Sequence, residues 1–298
     1  MLRDQETVHP LGECKSWPEI RDKLRLWRKE NIRCSDQIVE LGEYALKHYS
    51  TNLGREKWAV FEQVCVAALD LCPAKMKLVN TCIQQLSEQF PSSLRVSMLE
   101  GLKYEYLKKW DDALEMYEGM IEYEPTFPAP YKRKVAILKA QNKISEAVND
   151  LNRYLNTFSC DHESWTELSD IYISNQNYKQ ALFCVEELLL QYPHNHLYHQ
   201  RYADILFTIG GKDNLELCCK YYCKAAELNP GNVRALFGIQ LASSTLSSIG
   251  KLSSKAKSDN QSLAAWASDM IEDYYKSQKT SKNLIVEVVG VLDKLSLK

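Results

Sequence analysis

No stretch of this 298-residue chain approaches the roughly 18 consecutive apolar residues that a membrane-spanning helix needs. The opening residues, MLRDQETVHP, carry no apolar core of a secretory signal, which leads us to expect a soluble protein that stays where it is made. Catalytic signatures are missing too: there is no Gly-rich phosphate loop, no G-x-S-x-G elbow and no H-E-x-x-H pair. An enzyme is therefore not expected, and no catalytic residue, cofactor or metal ligand is assigned. Charge of one sign is also lacking. The 37 Lys and Arg against 39 Asp and Glu leave a formal net charge of −2, with no basic arm, so nucleic acid is not an expected partner. Ten cysteines are present, yet no Cys-x-x-Cys pair and no framework spacing occurs among them, as suits free thiols in a reducing cytosol.

What the chain does have is a period. Ala113, Ala147 and Ala181 lie 34 residues apart. Trp110, Ile144 and Tyr178 repeat in a second phase, Tyr104, Leu138 and Tyr172 in a third, and Tyr117, Leu151 and Val185 in a fourth. Pro91, Pro125 and Pro193 punctuate the same frame. Thirty-four residues is the tetratricopeptide period, and Trp165, Leu168, Ser169, Tyr172, Ala181, Val185 and Pro193 follow its signature with only the glycine and the phenylalanine replaced. Each position has a steric reason. A small residue lets the second helix of a hairpin press on the first, and the large residue nine earlier (Tyr104, Tyr172) fills the adjoining layer. The proline closes the unit, because it lacks an N–H and restricts the residue before it.

The period predicts an all-α fold, a right-handed superhelical solenoid of tetratricopeptide hairpins with atypical capping helices at both ends. The expected divisions are a flexible N-terminus at 1–15, capping helices at 16–59, a degenerate repeat at 60–93 with Val79 in the alanine position, and repeats at 94–127, 128–161 and 162–195. A fourth repeat at 196–232 is three residues too long. The surplus is assigned to a lengthened internal loop at Gly210 to Asn214. C-terminal helices follow at 233–298, interrupted by a Ser/Lys-rich loop at about 243–262 and closing with a short helix over 283–295. At the start, Ser16 and Glu19 form a capping box before Ile20, Leu24 and Trp27.

Two clusters invite a metal and are better explained otherwise. His194, His196 and His199 follow a proline turn and diverge, with no carboxylate at ligand spacing, so capping and packing account for them. Cys218, Cys219 and Cys223 sit inside a repeat as ordinary core cysteines. The informative surface is the face of the first helices. It gives Met98, Leu102 and Tyr106, then Lys132, Arg133, Ala136 and Lys139, then Glu167 and Asp170, then Gln200, Arg201, Asp204 and Phe207. Such a mixed lining suits an extended or helical protein segment. Lys132, Arg133, Lys134 and Lys139 form its densest basic cluster, with Lys134 standing where the repeat prefers leucine. Reversing Lys132 and Arg133 to glutamate is expected to weaken an acidic partner's contact without lowering stability.

Several stretches go beyond repeat grammar: RDKLRLW from Arg21, SDQIVELGE from Ser35, YKRKVAILKAQNK from Tyr131, YPHNHLY from Tyr192 and RALFG from Arg234. In their order and spacing they resemble the second subunits of the endoplasmic reticulum membrane protein complex, from about residue 17 to 280. The resemblance implies a non-catalytic scaffold, peripheral on the cytosolic face of the ER membrane. Its partners would be the cytosolic tails of the membrane subunits and a globular cytosolic subunit. The complex it serves would insert tail-anchored and multipass proteins without nucleotide hydrolysis. The alternative is a tetratricopeptide adaptor or co-chaperone of another complex. The lysine–asparagine clamp of chaperone-tail binders does not appear at Met98 and Leu102, nor at Lys132, Ala136 and Glu167.

Overall fold

The computed structural model describes residues 16–248 and 253–277, with residues 287 and 290. The stretch 1–15 lies outside the described residues, as does most of the short helix expected over 283–295. Among the described residues there are fourteen helices and no strand. They are α1 (Trp17–Lys29), α2 (Ser35–His48), α3 (Glu56–Asp70), α4 (Met76–Gln89), α5 (Leu94–Tyr106), α6 (Trp110–Tyr123) and α7 (Pro128–Ala140), followed by α8 (Ile144–Thr157), α9 (His162–Ser174), α10 (Tyr178–Gln191), α11 (His196–Ile209), α12 (Lys212–Leu228), α13 (Val233–Ser248) and α14 (Ser254–Ser277). This is the all-α tetratricopeptide fold that the period predicts.

The turns inside the hairpins show why these sequences fold this way. Lys108, Asn142, Gln176 and Gly210 all have positive φ, and they are spaced 34 residues apart. At the first three, the next amide reaches back five residues: Lys109 N to Tyr104 O at 3.0 Å, Lys143 N to Leu138 O at 2.9 Å, and Asn177 N to Tyr172 O at 2.8 Å. This left-handed cap satisfies carbonyls that the helix end would otherwise leave open. Asn31, also at positive φ, does the same after α1, with Ile32 N donating to Trp27 O at 2.9 Å. The second helices stop differently. Phe90, Glu124, Tyr192 and Asn229, each followed by proline, leave helical backbone geometry at the position that proline restricts. At the N-terminus the Ser16 amide donates to the Glu19 carboxylate at 3.4 Å, and Ile20, Leu24 and Trp27 form the buried stripe of α1.

The chain forms two compact units, residues 1–147 and 148–298, and the division falls within α8. In the first unit α1 to α7 pack in succession, and α3 also meets α5. Val64, Cys65, Val79 and Cys82 belong to one buried cluster and Ala113 and Tyr117 to another, all at or near zero exposure. Full burial of a side chain such as that of Val64 or Val79 stabilises by about 1.5–3 kcal/mol. In the second unit α9 to α14 pack in succession, and α11 also meets α13. Ala181, Cys184, Val185 and Leu188 are sealed against the neighbouring helices. Ala147 is fully buried, Trp165 nearly so, and Tyr104 and Tyr172 are half-buried at the edges of their layers.

Two expectations are corrected. The fourth repeat has no lengthened loop: only Gly210 and Gly211, both at positive φ, separate α11 from α12. The surplus instead extends α12 to 17 residues, against 14 in α6, α8 and α10. The Asn214 side chain donates to Gly210 O at 2.8 Å, tying the turn to the helix start. The Ser/Lys-rich loop over 243–262 is also largely helix, since α13 runs to Ser248 and α14 begins at Ser254; residues 249–252 lie outside the described residues. Hydroxyls here return to the helix backbone, Thr245 to Leu241 O at 2.7 Å and Ser247 to Ser243 O at 2.9 Å. A composition that reads as a turn is thereby accommodated within a helix.

Candidate functional site

The first helices of the first unit enclose a concavity of about 950 Å³, reached by α1, α3, α5 and α7 and by the turn after α1. Leu102, Tyr106, Arg133 and Ala136, expected on this face, line it; Lys132, Lys134 and Lys139 do not. Ile32, Val66 and Tyr106 turn large apolar surface toward it while remaining 41%, 44% and 37% exposed. Burying such surface against a partner is the main source of binding free energy available here.

Four arginines and three carboxylates line the same concavity. Arg33 grips Asp70 through two bonds, at 2.5 and 3.0 Å, and the Ser35 hydroxyl adds a third at 2.6 Å. The Arg33 guanidinium holds the Asp70 carboxyl below its usual range. Arg95 grips Glu62 at 2.6 and 3.2 Å. Arg133 reaches back to Glu105 with Nε at 2.8 Å and Nη2 bonding the second oxygen. The Arg95 and Arg133 pairs join residues of different helices, and Arg33 ties the turn after α1 to α3, so the three pairs fix neighbouring elements as well as the charge of the groove. Arg28 is left over. Its Nε and Nη2 atoms are buried and have no hydrogen-bond partner, and the Gln63 Oε1 atom beside the groove is likewise unmatched.

Glu105 is shared. Tyr117 comes from α6 to donate its hydroxyl to Glu105 at 2.6 Å, and its ring lies where a Cβ on residue 101 would be, 2.5 Å from the nearest ring carbon, so only Gly101 fits. Burial pushes the Tyr117 hydroxyl pKa upward, with the Glu105 carboxylate adding to it. The second unit repeats the arrangement. Tyr222 donates to Asp204 at 2.5 Å, Arg234 donates to the other oxygen at 3.0 Å, and Gly238 makes room for the Tyr222 ring.

These bonds change the expected roles of several residues. Arg133 is not a free member of a basic patch, so reversing it would place a carboxylate against Glu105, and a loss of stability is now expected where none was. Lys134 does not sacrifice packing for charge: its side chain is only 13% exposed, with the stem covered and the ammonium on Glu118 at 2.9 Å. Arg201 bonds Ser169 at 3.1 Å and Asp170, Asp204 serves Tyr222 and Arg234, and Phe207 packs against the core of the second unit. Lys132 is half-buried and Lys139 exposed on α7. The histidines separate: the ring nitrogens of His196 lie 3.1 and 3.0 Å from the amide nitrogens of Asn229 and Asn232, while His199 bonds Pro193 O at 2.8 Å. Sequence reasoning missed Arg28 and Ile32 because they precede the repeat frame, and Val66 because groove positions are taken only from the repeats that follow the degenerate one at 60–93. The only local signal was Arg28 beside the core residue Trp27.

Comparison with known proteins agrees with this architecture. A family model described as the EMC2 TPR-like repeat domain matches residues 77–212. ER membrane protein complex subunit 2-A of Xenopus laevis is 43% identical over 261 residues, covering 88% of this chain and 87% of that protein. ER membrane protein complex subunit 2 of Dictyostelium discoideum is 32% identical over 310 residues, covering 98% and 94%. Among solved structures, the C-terminal part of a TPR repeat-containing protein from Cytophaga hutchinsonii aligns with a TM-score of 0.56 at 15% identity, over 91% of this chain and 99% of that one, a likeness of fold.

Proposed function

Because the chain belongs to the family of ER membrane protein complex subunit 2, we propose that it is a non-catalytic scaffold subunit of that complex, held at the cytosolic face of the ER membrane. In this reading it supports energy-independent insertion of tail-anchored and multipass transmembrane segments by holding the cytosolic tails of the membrane-embedded subunits, and a globular cytosolic subunit docks on it. Among the described residues no helix is long and apolar enough to cross a membrane, so attachment is assigned to the partners.

The groove of the first unit carries this reading. Its arginines are mostly neutralised internally, which removes the field that a nucleic acid would need, while Ile32, Val66 and Tyr106 offer apolar area to a protein segment. Beside the groove, Lys132 and Lys139 are offered to a partner from α7, where Arg133 and Lys134 are held by Glu105 and Glu118; in the second unit, taken by itself, α11 offers the face of Arg201, Asp204 and Phe207, which its own neighbours hold in place. The test is affinity recovery of the tagged full chain from a mild-detergent membrane extract. A stoichiometric set of membrane subunits is expected. Recovery of a chaperone, or of nothing from membranes, would overturn the assignment and leave a tetratricopeptide adaptor.

A further inference from the structure

We propose that the groove of the first unit takes a partner-protein segment presenting an apolar face and a single carboxylate, and that Arg28 is the residue this carboxylate meets. The inference rests on the scaffold reading above and specifies the chemistry of one of its contacts.

The argument begins with charge. Glu62, Asp70 and Glu105 are each held by one arginine, so the lining has one cation in excess. That cation is Arg28, whose Nε and Nη2 atoms are withdrawn from solvent without a bond to replace the lost water. A guanidinium in that state costs free energy in the isolated chain, and the cost is recovered when an acceptor arrives. Gln63 presents the complementary need. Its Nε2 donates to Leu24 O at 3.2 Å, which fixes the amide, and the Oε1 left over accepts from nothing. The groove therefore lacks one anionic acceptor and one donor. Around them Ile32, Val66 and Tyr106 lack apolar cover.

A polypeptide supplies all three at once: a carboxylate side chain, a backbone or side-chain N–H, and apolar side chains. A small inorganic anion would satisfy Arg28 and leave the apolar residues wet. A nucleic acid would require several unpaired cations, and the lining has one. A lipid could offer a phosphate, an acyl chain and a headgroup donor, and it becomes an outcome of the test.

The experiment uses the tagged full chain, wild type or carrying Arg28→Met or Arg28→Lys, recovered from the same mild-detergent membrane extract, together with a chain bearing a photo-crosslinking phenylalanine at Val66. Each purified variant is also melted alone. Arg28→Met is expected to melt at or above the wild-type temperature while recovering roughly tenfold less of the membrane subunits, the loss expected for a charged hydrogen bond. Arg28→Lys is expected to lie between the two. The crosslinked segment is expected to contain Asp or Glu among apolar residues. Its change to Gln or Asn should match the Arg28→Met loss and add nothing when combined with it. Failure of the wild type to recover membrane subunits would overturn the scaffold reading and this inference with it. Full recovery by Arg28→Met, a lower melting temperature for it, a crosslink to lipid, or a crosslinked segment without a carboxylate would overturn the inference alone.

Discussion

Replacing Arg133 by methionine tests whether its guanidinium is part of the framework of the first unit. The Glu105 side chain is 11% exposed and that of Arg133 40%, so the pair is neither dry nor fully solvated. Removing one member of a fully buried pair costs about 3–5 kcal/mol, because the remaining charge is stranded. Solvent reaches Arg133, and the Tyr117 hydroxyl at 2.6 Å still serves Glu105 after the change, so the cost should fall to about 2–3 kcal/mol. Arg133→Glu should cost more, since it adds a like charge beside Glu105. The assay is urea denaturation of the full chain, followed by far-ultraviolet circular dichroism and by tryptophan fluorescence. Coincidence of the two curves establishes whether one transition is being read, a necessary check in a repeat protein. A cycle with Glu105→Gln then isolates the pair. If Arg133→Met and Arg133→Glu unfold at the wild-type urea concentration, or if the Glu105 and Arg133 changes add independently, the framework role is refuted.

Three further outcomes are expected. Gly101→Ala and Gly238→Ala should each destabilise by about 1–3 kcal/mol, because the new Cβ would stand 2.5 Å from the Tyr117 or Tyr222 ring. Ala181→Leu should cost a similar amount, whereas Gly119→Ala, with nothing within 4 Å, should be neutral or slightly stabilising; equal urea midpoints for Gly101→Ala and Gly119→Ala would contradict the packing. Burial raises the pKa of the Tyr117 and Tyr222 hydroxyls in the folded state, so their contribution is intact below the unfolded tyrosine pKa of about 10 and declines as the pH climbs past it. The urea midpoint should thus drop between pH 8 and 10.5, and a Tyr117→Phe/Tyr222→Phe chain with an equally steep drop would exclude these two groups as its source. Burial pushes the thiols of Cys65, Cys82 and Cys184 up to about 12 and that of Cys219 to about 11, while Cys160 is exposed. Brief iodoacetamide treatment at pH 8 should therefore mark Cys160 among these five, and rapid labelling of Cys184 by mass spectrometry would show an open core.

The tetratricopeptide fold was legible in the sequence because its constraints are local. A hairpin needs a small residue where its helices touch and a proline where the second helix stops, and both needs recur every 34 residues. The family was legible too, since RDKLRLW, SDQIVELGE and the other stretches keep their order along the chain. Composition misled where side chains return to their own helix: the hydroxyls of Thr245 and Ser247 bond backbone carbonyls within α13, so a run resembling a turn stays helical. The site was less legible still. Position along one helix could place Arg133 on the groove face, but not reveal that Glu105, 28 residues earlier, and Tyr117 from the other helix of that hairpin hold the same carboxylate-centred network. Nor could it single out Arg28 among the arginines, because lacking a partner depends on every element around a side chain. Local sterics repeat along a sequence and can be read there; the pairing of charges across helices is decided only when the chain has folded and each polar group has either met a partner or been left without one.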